Sequence, residues 1–415
     1  MFYASGANEH GQLGNSTYTN LQTLTPINIS AHHYRQKTYR QLGPVCLSDF
    51  ANLDERNLVG LCKIKQIACG KRHTLILTEE NDLYACGDNS NSQLAVYETI
   101  SNNTVEWIDF EPARTHRITS IACSSNSSFV FLDNGEIYKT SPNKLSNLSH
   151  KTSFYKLSLE TKSPVKGFFS SPTTSRFHIL TNDNSVFVGG EDETGYWAVR
   201  QDQPLKPTPF PAITNPIKII ASGGFHTVII TEKNEYFSMG KNYFYQRGDM
   251  DDRISLRQGV ELPFSNKSIT QVCCGHFHTL VLCADGSLYA CGKNSHGQLG
   301  IGTLKEKNLF MKVPINTYIH SMHCGTDHTI LLTTDKRVMR CGKNDRGQSF
   351  LDYGKCNTVF ETLKVKEFAH VACGAHFTIC YGDMTYVINR LPKIASFLSR
   401  KDFSDINFAL SHDED

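Results

Sequence analysis

Two short motifs recur along this chain at a constant separation, and that constancy constrains the fold more than any other feature. The first, Gly-x-x-His-Thr, occupies Gly70–Thr74, Gly223–Thr227, Gly275–Thr279 and Gly325–Thr329. The second, Gly-x-Asn-x-x-x-Gln, begins at Gly6, Gly87, Gly240, Gly292 and Gly342. In every copy that holds both, the histidine precedes the second glycine by 14 residues. A repeat near 50 residues signals supersecondary units that cannot bury their apolar faces alone and must stack on one another.

Carrying the register into weaker stretches places Ser127 and Ser141 at the two positions of one degenerate copy, and Arg176 and Gly190 in another. The turn position then falls at 70, 124, 173, 223, 275, 325 and 374, seven copies spaced by 49 to 54 residues. The step from Gly6 to Gly87 is 81 residues, about 30 longer than the rest, which predicts an insertion between Asn15 and Gly60.

Each unit reads as β. Short apolar runs rich in β-branched residues, Ile269–Cys274, Thr279–Cys283 and Ser287–Cys291, flank the hairpin dipeptide Asp285-Gly286, and Asn134-Gly135 repeats that signal in a degenerate copy. Only Leu391–Leu398 offers helical periodicity. Seven such units predict an all-β, seven-bladed β-propeller whose closure protects its strand edges. The chain opens on a strand, Phe2–Ser5, and a second motif with no first motif before it. Val371–Thr378 supplies a first motif with no good second one after it. The N-terminal strand is therefore expected to complete the last blade and tie the ring shut. The expected organisation is a propeller over 1–389 and an extension over 390–415.

These motifs resemble the repeat of the regulator of chromosome condensation (RCC1) family, over almost the whole chain. The resemblance implies a seven-bladed propeller, in agreement with the repeat count. WD repeats fit badly, because neither Trp107 nor Trp197 is followed by Asp. A histidine that recurs once per blade is read as structural, since a catalytic group is needed once and a structural one every time. The glycines suit positive φ or close backbone approach. Asn8, Asn89, Asn242, Asn294 and Asn344 suit left-handed or Asx-turn positions. Gln12, Gln93, Gln246, Gln298 and Gln348 are expected to hydrogen-bond between blades. The candidate binding face comprises His73, His226, His278 and His328 with the residues before them, Arg72, Phe225, Phe277 and Asp327.

Composition narrows the function classes. Lys+Arg of 42 against Asp+Glu of 40 leaves +2, so no overall field favours nucleic acid, chromatin or an acidic membrane. No run of 18 apolar residues predicts a membrane span, and a chain that starts inside a motif leaves no room for a signal peptide. Of the 14 cysteines, Cys69, Cys123, Cys274, Cys324 and Cys373 share one repeat position and Cys86, Cys291 and Cys341 another. They read as small buried residues in a reduced cytoplasmic or nuclear setting, without metal-ligand spacing. Asp249, Asp251 and Asp252 lack the glycine and glutamate of a calcium loop. No phosphate loop, nucleophile elbow, metal site or cofactor site is predicted, and the chain reads as a non-enzyme. Within the insertion, His32–Arg40 interleaves basic residues with tyrosines and is read as a solvated loop in preference to a nucleic-acid contact.

Past the propeller, Arg390–Arg400 suits a short helix, and Phe403-Ser404-Asp405-Ile406-Asn407-Phe408 is similar to the opening strand of BTB domains. This is either a truncated start of such a domain or a mobile acidic terminus. Two function classes follow. The favoured one is a protein-interaction platform, in a specific form an adaptor that presents partners to ubiquitin-ligase components. The other is guanine-nucleotide exchange on a small GTPase such as Ran, the activity of the founding family member. In exchange-active members, acids occupy the turns of the second and third repeats. Here those positions hold Ser125 and Asn126, then Thr174 and Ser175, and an acid survives only at Asp327. Ultraviolet sensing in the family uses tryptophans at the turn, where this chain has Arg72, Phe225, Phe277 and Asp327.

Overall fold

The computed structural model describes residues 2–27, 64–96, 101–140, 154–190, 205–251, 253–258, 262–350, 356–363 and 367–382. They form seven antiparallel sheets, six of four strands and one of three. Blade 5 shows the pattern. Ile269–Cys274, His278–Cys283, Leu288–Gly292 and Lys307–Lys312 pair in chain order. Among the described residues blade 3 carries three strands, Val165–Ser170, Phe177–Thr181 and Val186–Gly189.

The seventh blade is built from both ends of the chain. Its inner strands are His370–Cys373 and Phe377–Tyr381, and its outer strands are Phe2–Gly6 and Leu21–Ile27. Phe2 pairs with Tyr381, Ala4 with Ile379 and Gly6 with Phe377, the closure expected from the split motif. Leu21–Ile27 falls inside the stretch read as an insertion, so part of that stretch is blade. The remaining insertion with His32–Arg40, the position of Ser141 and the extension over 390–415 lie outside the described residues.

Burial explains the strand sequences. The second strand of a blade lies between two neighbouring blades and is buried on both faces, as in His73–Thr78, His226–Thr231, His278–Cys283 and His328–Thr333. Continuous apolar runs therefore replace strict alternation. The apolar core divides into seven clusters, one at each junction between blades. Ala4, Ile379 and Tyr381 of blade 7 meet Ile67, Ile76 and Tyr84 of blade 1. Across the other side of blade 7, Val371 and Cys380 meet Ile330, Leu332 and Val338 of blade 6. The closing junctions thus have the same construction as Val228 and Ile230 against Val281 and Tyr289 between blades 4 and 5. First strands of neighbouring blades touch around a central channel of about 580 Å³.

Candidate functional site: the ring of turns

Blades 1, 4, 5, 6 and 7 each place two loops on one face of the ring, the turn between the two inner strands and the loop opened by the second motif. A backbone bond joins them. The N–H of Lys241 donates to Phe225 O, that of Lys293 to Phe277 O and that of Lys343 to Asp327 O, each at 2.8 Å. Further bonds join turn to turn between blades. Lys71 N–H donates to Ser125 O (3.1 Å), Ser125 N–H to Thr174 O (2.8 Å), His276 N–H to Thr326 O (3.2 Å) and Thr326 N–H to Ala375 O (2.9 Å). The turns form a rim, hydrogen-bonded to their neighbours from blade 1 to blade 3 and, with Gly224 N–H donating to Gly275 O at 3.3 Å, from blade 4 to blade 7.

The motif histidines lie beneath this rim and not on it. His73, His226, His278 and His328 are fully buried, which corrects their inclusion in a contact face. His226 Nε2 lies 2.7 Å from Thr279 Oγ1 in the next blade, His278 Nε2 3.1 Å from Thr329 Oγ1, and His328 Nε2 3.1 Å from Thr378 Oγ1. Those threonines donate their one proton to Gln246 O, Gln298 O and Gln348 O, at 2.6 to 2.8 Å. Each imidazole must therefore carry its proton on Nε2 and donate it. Burial drives the pKa of His73 and His278 down to about 4 and that of His328 to about 3, so the rings are neutral struts.

The turn glycine is explained by the same ring. A Cβ on Gly275 would stand 2.0 Å from His278 Cε1, and one on Gly325 equally close to His328. The second-motif glycines differ. Gly292 has φ +104 and backs onto Phe277 O, so both conformation and space demand glycine.

One expectation holds only in part and another needs correction. Most bonds of the glutamine side chains stay within their own loops, as where Gln298 Oε1 accepts from His296 N–H at 3.0 Å, but Gln298 Nε2 also donates to Asp327 Oδ1 of the next blade at 3.3 Å. It is the glutamine backbone carbonyl that receives the neighbouring blade's threonine. The motif asparagines bridge their loops across five residues, Asn294 Oδ1 accepting from Leu299 N–H at 3.0 Å, and none has positive φ. Their buried amides brace a long loop, which needs more reach than an Asx turn.

The degenerate blades keep the design with other groups. Arg176, at a histidine position, is buried and donates to Gly224 O of the next blade at 3.1 Å. His178, unremarked in the motif pattern, is buried with Nδ1 3.0 Å from Ser222 Oγ of blade 4. Ser125 and Thr174 are buried on the rim, with Asn126 and Ser175 half-buried beside them.

The other face residues separate. Arg72 stands exposed on blade 1. Phe225 and Phe277 come together as stacked rings, 5.1 Å apart and 9° from parallel. His276 and Phe244 meet Phe277 edge-on at 4.5 and 4.9 Å. Lys241 stands 5.5 Å from the Phe225 ring centre and Lys293 5.7 Å from that of Phe277. Asp327 is paired with Lys293 at 3.0 Å and accepts from Gln298 Nε2 at 3.3 Å. Burial raises the Asp327 carboxyl, but the charge and the hydrogen bond of Lys293 lead the opposing effects that together hold the group below its usual value. Among the described residues no three His, Cys, Asp or Glu side chains converge to hold a metal ion, and no helix is long and apolar enough to cross a membrane.

Fold and rim together define a closed seven-bladed propeller. The model of the "Regulator of chromosome condensation (RCC1) repeat" matches residues 64–93, 269–298 and 319–348, and a second model of that repeat matches 2–77 and 285–332. The chain carries RCC1 repeats. It is 26% identical over 262 residues to the X-linked retinitis pigmentosa GTPase regulator of Canis lupus familiaris, covering 62% of this chain but 26% of that protein. It is 24% identical over 274 residues to the probable E3 ubiquitin-protein ligase HERC6 of Homo sapiens, covering 63% of this chain and 26% of that one. Identity to the guanine nucleotide exchange factor SRM1 of Saccharomyces cerevisiae is 27% over 290 residues, covering 58% of each. The chain thus spans about a quarter of the first two relatives. The crystal structure of Prp20p from Saccharomyces cerevisiae superposes with a TM-score of 0.71 at 20% identity, over 95% of this chain and 94% of that one, a likeness of fold.

Proposed function

We propose that the protein is a non-catalytic interaction platform that binds a protein partner on its ring of turns. The observation that carries this reading is the division of labour within the motif. The histidines, glycines and asparagines are spent on holding the rim rigid, while the residues between them vary from blade to blade, with Arg72 exposed and Phe225 and Phe277 half-buried. A rigid scaffold with variable loops suits docking. Its finer form, an adaptor for a ubiquitin ligase, is supported by the similarity to HERC6 and by the BTB-like Phe403–Phe408. Affinity purification of the chain from its native cells, with mass spectrometry, tests both levels. Retention of a reproducible set of proteins is expected, with cullin-type ligase components among them if the finer form holds. Failure to retain any protein would end the platform reading.

The 27% identity to an exchange factor supports a second reading, regulation of a small GTPase. Against it, the turn positions of blades 2 and 3 carry no acid. The remaining one, Asp327, is engaged by Lys293 at 3.0 Å.

A further inference from the structure

Blades 4 and 5 differ from the rest of the rim. There the stacked Phe225 and Phe277, with Phe244 and His276 edge-on to Phe277, are only half-buried, so ring faces and edges meet solvent. Tyr243 and Met250, on the same blade 4 loop, are 63% and 69% exposed. Asn242 Nδ2 donates to Asp249 O and Asp251 O at 2.9 Å each, folding the Met250 segment back beside Tyr243. Arg247 takes the position that Leu299 holds in blade 5. Its buried guanidinium donates to Asp251 O (2.7 Å) and Asp249 Oδ1 (2.9 Å), which fixes this loop in place.

Two cations stand over these rings. Lys293 is shared with Asp327. Lys241 lies 5.5 and 5.3 Å from the ring centres of Phe225 and Tyr243 and makes no ion pair among the described residues. On blades 6 and 7 the rim cations are paired, Arg346 with Glu9 and Lys343 with Asp345, while Lys71 and Arg72 of blade 1 stand exposed away from any aromatic cluster of this kind.

We propose that this patch is the docking site for an acidic peptide segment that carries an aromatic or large apolar side chain. The proposal deepens the platform reading and rests on it. The charge complementarity is direct, because a carboxylate arriving at Lys241 meets an ammonium that no carboxylate among the described residues neutralises, beside rings already ordered to receive an apolar side chain. A basic ligand is disfavoured, since Lys241 and Lys293 already occupy the faces a cation would seek. A nucleic acid strand is disfavoured on two counts. Phe225 and Phe277 are in contact, leaving no slot for a base between them. A backbone running along the rim would also leave Lys241 and Lys293 to pass Asp327, Asp345 and Glu9.

The test uses the full chain, panned against a displayed library of random peptides, with Lys241→Glu and Phe277→Ser chains in parallel. Lys241 is at the surface, so its variant should keep the parent melting temperature even if Phe277→Ser does not. Enrichment of peptides rich in Asp and Glu around an aromatic residue is expected. In fluorescence anisotropy those peptides should bind the Lys241→Glu chain at least about tenfold more weakly, with affinity for the parent falling as ionic strength rises. No enrichment, a basic or neutral consensus, unchanged binding to Lys241→Glu, or displacement of the peptide by a single-stranded oligonucleotide would each overturn the proposal. None of these touches the platform reading, which fails separately if the parent chain retains no protein partner from its cells.

Discussion

At the scale of single residues, the repeat is a mutual accommodation between a glycine and a histidine. Removing the His278 imidazole deletes the bond to Thr329 and leaves a void above Gly275, so His278→Ala should cost about 1–3 kcal/mol in chemical denaturation. Gly275→Ala should also destabilise, because its Cβ would meet the ring at 2.0 Å. The pair should couple, with the alanine at 275 costing less once the imidazole is gone, though the Gly325 carbonyl at 2.8 Å keeps it from becoming free. Purely additive effects would show that ring and glycine do not share the space. The histidines also set a pH response. Burial lowers His73 and His278 to about 4 and His328 to about 3 from 6.5. Below pH 6.5 the unfolded chain takes up protons that the folded ring refuses. The stability these groups contribute is complete above that pH and is lost as pH falls toward their folded values. Each ring should cost up to about 1.4 kcal/mol per pH unit in that window. Melting temperatures measured across it should fall, with a shallower slope in His278→Ala.

At the scale of elements, the blade that closes the ring is also the one most open to test. Phe2–Gly6 is held between Leu21–Ile27 and Phe377–Tyr381. Its Ser5 Oγ lies 2.8 Å from Leu21 O and 2.6 Å from Gly347 O of blade 6. Deleting residues 1–14 exposes the edge of Phe377–Tyr381, strands Leu21–Ile27 and removes Ala4 and Leu13 from the junction with blade 1. The melting temperature should drop and the unfolding transition broaden. A deletion chain that melts with the parent would mean that the N-terminal strand adds nothing to closure. The split motif made this pairing legible, because a half-repeat at each end has only one economical resolution. What could not be read was the strand at Leu21–Ile27, which carries no motif residue and is recruited by the edge beside it.

At the scale of the whole molecule, the ring of turns should bind without displacing nucleotide. Purified chain is expected not to accelerate release of a fluorescent guanine nucleotide from Ran in stopped flow. An exchange factor must stabilise the nucleotide-free GTPase over the bound one, which requires groups that compete with phosphate and magnesium contacts. Ser125, Asn126, Thr174 and Ser175 offer none, and Asp327 is committed to Lys293. Stimulation of about a hundredfold, equivalent to roughly 2.7 kcal/mol, would show that the missing acids are not needed.

The sequence by itself determined the number of blades, the closure and the identity of the structural positions, because these rest on local geometry that every copy must satisfy alike. Turn, close approach and buried strand each leave the same residue at the same place, so repetition makes them visible even where Arg176 stands for a histidine. Only the tertiary structure decided what the face presents. Phe225 and Phe277 are 52 residues apart in the chain, and Lys293 and Asp327 34 apart. They meet because closing the ring sets successive blades side by side. Gln246, Gln298 and Gln348 show the same limit from the other side. Apart from the Gln298 side-chain bond to Asp327, their bonds between blades run through backbone carbonyls, which every residue possesses and no motif can reveal. A variable side chain between two invariant ones has meaning only once the fold supplies its neighbour, and on this rim that neighbour comes from the next blade.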